Sequence, residues 1–275
     1  MQLGIFAKTF EGRNPAEILP QVKAAGFATA QYNMACSGLP SLPDAVSEKV
    51  TDSIRAAMAQ SDVSLYALSA TYNMIHPDPS VREKGHGALR VLAKVASQLS
   101  IPLLTLCTGT RDPNDQWRRH PGNDGQDAWR DLLQSMERAI SIAEEHGTDL
   151  GIEPELGNVV SSAAKAKQLI GDMKSPYLKI VFDPANLFEI ATEAEQRWTI
   201  SYAIDLLADR IVMAHAKDRA ADGAFVAAGK GVLDYSHFLG QLRKSGFTGP
   251  LVTHGLAASE APEVAAFLRN QLEHA

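Results

Sequence analysis

Short apolar runs with strand character alternate with amphipathic helical runs eight times along this 275-residue chain, and no other feature narrows its fold as far. The strand-like runs lie at 3–10, 27–34, 63–71, 101–108, 149–155, 178–183, 211–216 and 251–254. Each is bounded by Gly, Pro, Asp or Asn. Between them, Asn14-Pro15 opens a helix as N-cap and first-turn proline, and Gly26 closes it. Further helical patterns occupy 47–62, 79–99, 126–147, 161–173, 197–207, 235–246 and 260–274. Eight strand–helix units in one chain of this length predict a single α/β domain over 1–275, a closed (β/α)8 TIM barrel. A doubly wound sheet would place a glycine-rich dinucleotide loop after the first strand, and Phe6-Ala7-Lys8-Thr9-Phe10-Glu11-Gly12 is no such loop.

The formal net charge of −6 argues against a nucleic-acid partner, whose phosphates call for a basic surface. No run reaches the ~20 apolar residues of a membrane span. The N-terminal residues Met1 to Lys8 read as a first strand rather than a secretory leader. Cys36 and Cys107 form no CxxC pair, so a disulfide framework is not expected and a reducing, cytoplasmic setting is. A homo-oligomer is compatible with all of this.

The chemistry gathers where the last four strand runs end. These endings read Glu153-Pro154-Glu155, Asp183-Pro184-Ala185-Asn186, His215-Ala216-Lys217-Asp218 and Thr253-His254-Gly255. Side chains alternate along a strand, so Glu153 and Glu155 share one face, as do His215 and Lys217. Two carboxylates on the inward face of an apolar strand are costly unless paired or metal-bound. Ion-paired structural acids are the plainer alternative. Asp183 can either ligate a metal or cap the turn that Pro184 begins. A histidine in an apolar strand is commonly a hydrogen-bonded core residue, but Lys217 beside His215 favours function. Together Glu153, Asp183, His215 and His254 form an oxygen-and-nitrogen donor set suited to Mn²⁺, Zn²⁺, Fe²⁺ or Co²⁺, and less to Mg²⁺.

Candidate substrate contacts lie at the ends of the earlier strands: Phe6, Tyr32, Tyr72, His76, Thr108 and Arg111, with Asn186 after the sixth. The long polar connection 109–125 carries the basic aromatic cluster Trp117-Arg118-Arg119-His120. In a barrel it lies on the catalytic face, as a lid or substrate contact through Arg111.

Glu153-Pro154, Asp183 with Asn186, His215-Ala216-Lys217-Asp218 and Gly229-Lys230-Gly231-Val232-Leu233-Asp234, together with Asn73-Met74-Ile75-His76-Pro77-Asp78, resemble the sugar phosphate isomerase/epimerase family. This is the xylose-isomerase-like barrel superfamily, which also includes endonuclease IV. The resemblance implies one divalent metal held by Glu153, Asp183 and His215, with His254 standing where the family usually has Glu. It implies a small carbohydrate or polyol substrate, isomerised or epimerised through an enediolate, with Glu153, Glu155 and Lys217 as proton-moving or charge-stabilising groups. The glutamate replaced by His254 is one of two carboxylates that move the substrate proton, so Glu155, Lys217 or His76 would take its place, or the reaction differs.

Three alternatives accompany this expectation. A keto-polyol dehydratase shares the enolisation step. An endonuclease IV-like phosphodiester hydrolase would need three zinc ions and further ligands, and Asn186 occupies a place where such enzymes tend to have His. A sugar-binding barrel without chemistry is favoured by His254 alone.

Overall fold

The computed structural model describes residues 1–274. Eight parallel strands close into a barrel: β1 (Leu3–Phe6), β2 (Thr29–Tyr32), β3 (Ser64–Ser69), β4 (Leu103–Leu106), β5 (Asp149–Ile152), β6 (Leu178–Phe182), β7 (Ile211–Ala216) and, after a small hairpin of β8 (Asp218–Arg219) and β9 (Phe225–Val226), β10 (Leu251–Thr253). β1 pairs with both β2 and β10, which seals the ring and leaves the barrel no open edge. The helices are α1 (Pro15–Ala24), α2 (Glu48–Ser61), α3 (Pro79–Leu99), α4 (Gln126–His146), α5 (Ala163–Met173), α6 (Glu193–Leu207), α7 (Tyr235–Lys244) and α8 (Ala261–His274).

Except for β7, which spans its expected 211–216, the strands are shorter than the apolar runs that announced them. Past Phe6, Asp183 and His254 the chain leaves the ladder for turns, and at β5 it leaves after Ile152, where Pro154 has no N–H to offer. Helix α6 begins at Glu193, four residues before the expected 197, because Thr192 and Glu195 form a reciprocal capping box. The β8–β9 hairpin was not anticipated; its strands have two residues each, too short for a periodic signal.

Two packed regions follow from the alternation of side chains. The larger lies between the barrel and its helices. The smaller fills the barrel interior with Ala67, Leu103, Val181, Met213 and Val252, all at most 1% exposed. Two residues further along the same five strands stand Ser69, Thr105, Asp183, His215 and His254. Gly4 and Gly151 precede Phe6 and Glu153 by the same step. The apolar layer is therefore the floor on which the polar side chains stand, a layering that barrels of this class use beneath their C-terminal face. No helix among the described residues is long and apolar enough to cross a membrane.

Candidate active site

The strand ends surround a cavity of about 460 Å³, within the range of small-molecule sites. Glu153, Glu155, Asn186, His215, Lys217 and His254 line it from one half of the barrel, and Phe6, Gln31, Ser69, Thr105 and Cys107 from the other. Asp183 lies just behind this wall, 1% exposed.

Each polar side chain is held by a neighbour. Asp183 does two things at once: Oδ1 accepts the Ala185 amide at 2.9 Å, fixing the turn, while Oδ2 lies 3.1 Å from Lys217 Nζ and 3.4 Å from His254 Nε2. Burial alone would raise the Asp183 carboxyl, but the Lys217 ammonium and the His254 ring more than offset it and hold it well below the usual carboxylate range. Lys217 also donates to Asn186 Oδ1 at 2.8 Å, and Asn186 Nδ2 donates to Glu153 Oε1 at 2.6 Å. Tyr235 donates to the Lys217 carbonyl at 3.1 Å, which fixes the backbone from which the ammonium extends. Burial, then the charge of Glu153, pushes the Glu155 carboxyl up to about 7, with Lys217 pulling the other way. Burial and the neighbouring His215 ring lower His254, so its imidazole stays neutral and keeps a lone pair.

Gln31 was not anticipated. It stands on β2, across the barrel, where the register shifts between Ala30 and Gln31. Its Nε2 donates to Thr105 Oγ1 at 3.3 Å and its Oε1 lies 2.9 Å from His215 Nε2. The ring's Nδ1 lies 3.2 Å from Glu153 Oε1. Both nitrogens of the His215 ring are therefore engaged, one on each side of the barrel. An amide inside the fully buried strand Thr29–Tyr32 was the available signal.

The four donors named from the sequence do converge: one ligand atom from each of Glu153, Asp183, His215 and His254 lies within 4.8 Å of every other. Ligands on opposite sides of an ion at ~2.0–2.2 Å would be ~4–4.4 Å apart, so a small contraction suffices. The cluster thus fits one divalent ion. Among the described residues it is the one such group.

Tyr72, His76 and Arg111 do not line this cavity. Arg111 turns back to the Ile75 carbonyl at 3.1 Å and Asp131 at 2.8 Å. His76 accepts the Asp78 amide and donates to the Pro113 carbonyl. The Tyr72 ring is buried against Gly85, where an added Cβ would meet it at 2.1 Å. The 109–125 connection does reach the cavity, but through Gln116 and Trp117. It is pinned by Asn158, whose Oδ1 accepts from Gly109 N and whose Nδ2 donates to Gln116 O, and by Asn123 donating to Gly157 O.

The glycine-rich motif proves to be scaffolding around Asp218. Its carboxylate accepts the backbone N–H groups of Arg219, Gly229, Gly231 and Leu233 at 2.8–3.1 Å. A Cβ on Gly231 would lie 2.1 Å from the Arg219 carbonyl, so only glycine lets the chain wrap so closely. The hairpin formed this way sets Phe225 against Lys217 Nζ and the Arg219 guanidinium, each 3.8 Å from the ring centre.

A closed barrel of eight βα units with ligand-type side chains at its strand ends defines a class of barrel, and comparison places the chain within it. Residues 19–271 match the family model described as xylose isomerase-like TIM barrel, and the chain belongs to that family. Its fold is shared with 3-keto-D-glucoside 4-epimerase from E. coli (TM-score 0.79, 16% identity, 98% of this chain and 99% of that one). It is likewise shared with D-allulose 3-epimerase from Methylomonas sp. (TM-score 0.76, 14% identity, 99% and 98%) and with a D-tagatose 3-epimerase-like protein (TM-score 0.78, 16% identity, 99% and 97%). No curated protein matches the sequence.

Proposed function

We propose that this protein is a divalent-metal-dependent isomerase or epimerase of a ketose or related polyol. The observation that carries the reading is the convergence of Glu153, Asp183, His215 and His254, one ligand atom of each within 4.8 Å of every other. The names of three structural neighbours, a sugar 4-epimerase, a sugar 3-epimerase and a 3-epimerase-like protein, support the substrate class. A bound divalent ion supplies Lewis-acid polarisation of a carbonyl and its adjacent hydroxyl. The protein's own groups do the rest. Glu153 takes the proton from the carbon beside the carbonyl. Lys217, held by Asp183 and Asn186, stabilises the negative charge that builds on oxygen. Glu155, raised to about 7 and facing the same cavity, is poised to give or receive the second proton near neutral pH. It thereby takes the part of the carboxylate that His254 replaces. A keto-polyol dehydratase would use the same first step and differ only in loss of water. The three-ion hydrolase finds a single donor group among the described residues and is set aside.

The test is deuterium wash-in. The protein, loaded in turn with Mn²⁺, Co²⁺, Zn²⁺ and Mg²⁺, is incubated in D₂O with a panel of ketoses and followed by NMR. Exchange at the carbon beside the carbonyl is expected, and Glu153→Gln should reduce it by at least ~10²-fold with the fold intact. Exchange unchanged in Glu153→Gln would move the chemistry elsewhere, and loss of a hydroxyl from the product would identify the dehydratase.

A further inference from the structure

Beside the reaction cavity lies a second one of about 430 Å³, and Leu42 and Gln116 line both. Both side chains are half-buried, and the two spaces adjoin at them. The second cavity runs between the loops that follow β3 and β4, and it is here, rather than at the metal cluster, that Tyr72 and His76 stand. We infer that it is an annex to the substrate site, built to take an uncharged, polyhydroxylated extension such as a second sugar ring, so that the substrate is a glycosylated ketose or keto-glycoside rather than a free or phosphorylated monosaccharide. The inference rests on the ketose reading of the reaction cavity.

The lining has the mixed character such an extension needs. Its inner side is apolar: the buried ring of Tyr72, Gly85 and Ala88 of α3, with Val81 at its opening, present a surface for the C–H face of a sugar. Gly85 is what allows this, since a side chain there would drive into the Tyr72 ring. The rim is polar, and its groups fall into two kinds. Asn73 and His76 are committed to the loops: Asn73 bonds the Thr110 backbone and His76 bonds Pro113 and Asp78. The side chains of Asp44, Lys84, Asn114 and Gln116 make no hydrogen bond or ion pair among the described residues. They offer donors and acceptors to hydroxyl groups entering the space.

The sign of the charge selects against a phosphate. Asp44, Asp112 and Asp115 line the annex against one cation, Lys84. Arg118 offsets part of this from outside, 3.3 Å from Asp112 and 3.6 Å from Asp115. His76 adds no charge: one ring nitrogen accepts an amide proton and the other faces a carbonyl, which is the neutral tautomer. A dianion here would face more carboxylates than cations. Neutral hydroxyls can donate to those carboxylates.

Binding is read without turnover, by saturation-transfer NMR and calorimetry on the metal-loaded protein. The probes are D-fructose, D-fructose 6-phosphate and three glucosyl- or galactosyl-fructoses joined through O3, O4 or O6. At least one disaccharide should bind ~10-fold or more tighter than D-fructose, and D-fructose 6-phosphate should not outbind it. Val81→Trp, a change at an exposed position on the first turn of α3, should fill the annex, abolish the disaccharide's advantage and leave D-fructose binding unaltered. The annex is refuted if no disaccharide outbinds D-fructose, if its advantage survives Val81→Trp, if the phosphate binds tightest, or if no probe binds. Tight disaccharide binding without deuterium exchange would retain the annex and count against the isomerase reading alone.

Discussion

At the scale of single residues, His254 has the most to say about chemistry. It is neutral, lies 3.4 Å from Asp183 Oδ2 and packs its ring 4.4 Å from that of His215. A donor set with two imidazoles prefers Zn²⁺, Fe²⁺ or Co²⁺, whereas carboxylate-rich sets suit Mg²⁺ and Mn²⁺. His254→Glu should therefore lower the ratio of Zn²⁺ to Mg²⁺ affinity by at least ~10-fold, read by calorimetry on the metal-free protein. An unchanged ratio would mean that His254 holds Asp183 in place without touching the ion. The same inward face explains why these positions were legible in the sequence. Val181 and Asp183, Met213 and His215, and Val252 and His254 are each two residues apart, so an apolar strand that ends on an acid or imidazole puts that group directly above the core. Gln31 stands outside this rule: Thr29, not an apolar core residue, lies two positions before it, and the strand shifts register between Ala30 and Gln31.

Among the elements, the packing of α3 on α4 carries a titration. His86 is buried on α3; its Nε2 donates to the Ser135 carbonyl at 3.2 Å, its ring meets Tyr72 edge-on, and its Nδ1 has no partner. Burial, followed by the nearby Arg138 charge, lowers its pKa below the ordinary value of 6.5. The unfolded chain therefore takes up a proton at pH values where the native ring refuses it. The stability this withholds is fully present above pH 6.5 and is lost as pH falls through the depressed native value. His86→Phe keeps the aromatic contact and removes the proton site. Urea melts of the two proteins should differ by under ~1.5 kcal/mol at pH 8, and the wild type should lose more stability than the variant between pH 7 and 5. Parallel losses would show that His86 is protonated in the native state. Element boundaries were read well where a chemical stop was present: Asn14-Pro15 and Asp78-Pro79 start helices, and Gly147 ends one in the left-handed conformation. They were misread where the stop is a reciprocal bond, as at Thr192 and Glu195, or where pairing depends on a distant turn, as in the β8–β9 hairpin.

The whole molecule was predictable as a barrel because eight repeats of one period leave few ways to bury eight strands. What could not be read was which loops meet. Arg111 looked free to greet a substrate because a linear sequence does not show Asp131 on α4 or the Ile75 carbonyl waiting for it. Closure also sets how full the interior is. At Gly151 a Cβ would lie 2.8 Å from Val181 Cγ2 and 3.0 Å from Leu103 Cδ1, inside the layer that supports Glu153. Gly151→Val should cost ~1–3 kcal/mol in chemical denaturation and, by lifting the neighbouring strand, weaken metal binding as well. A stable variant with full metal affinity would show that the floor and the donor cluster are mechanically independent.

The chain carries three tryptophans. Trp129 donates its indole N–H to Asp172, and Trp198 lies stacked on Tyr202 on the outer surface of α6. Trp117 alone of the three borders the reaction cavity, 46% exposed on a connection otherwise pinned in place. The protein is thus supplied with its own optical reporter. Its intrinsic fluorescence should change in intensity or wavelength as a ligand enters and displaces water from that indole. Trp117→Phe should silence the response while the emission of the other two persists. A signal that survives the substitution would place the entering ligand elsewhere on the molecule.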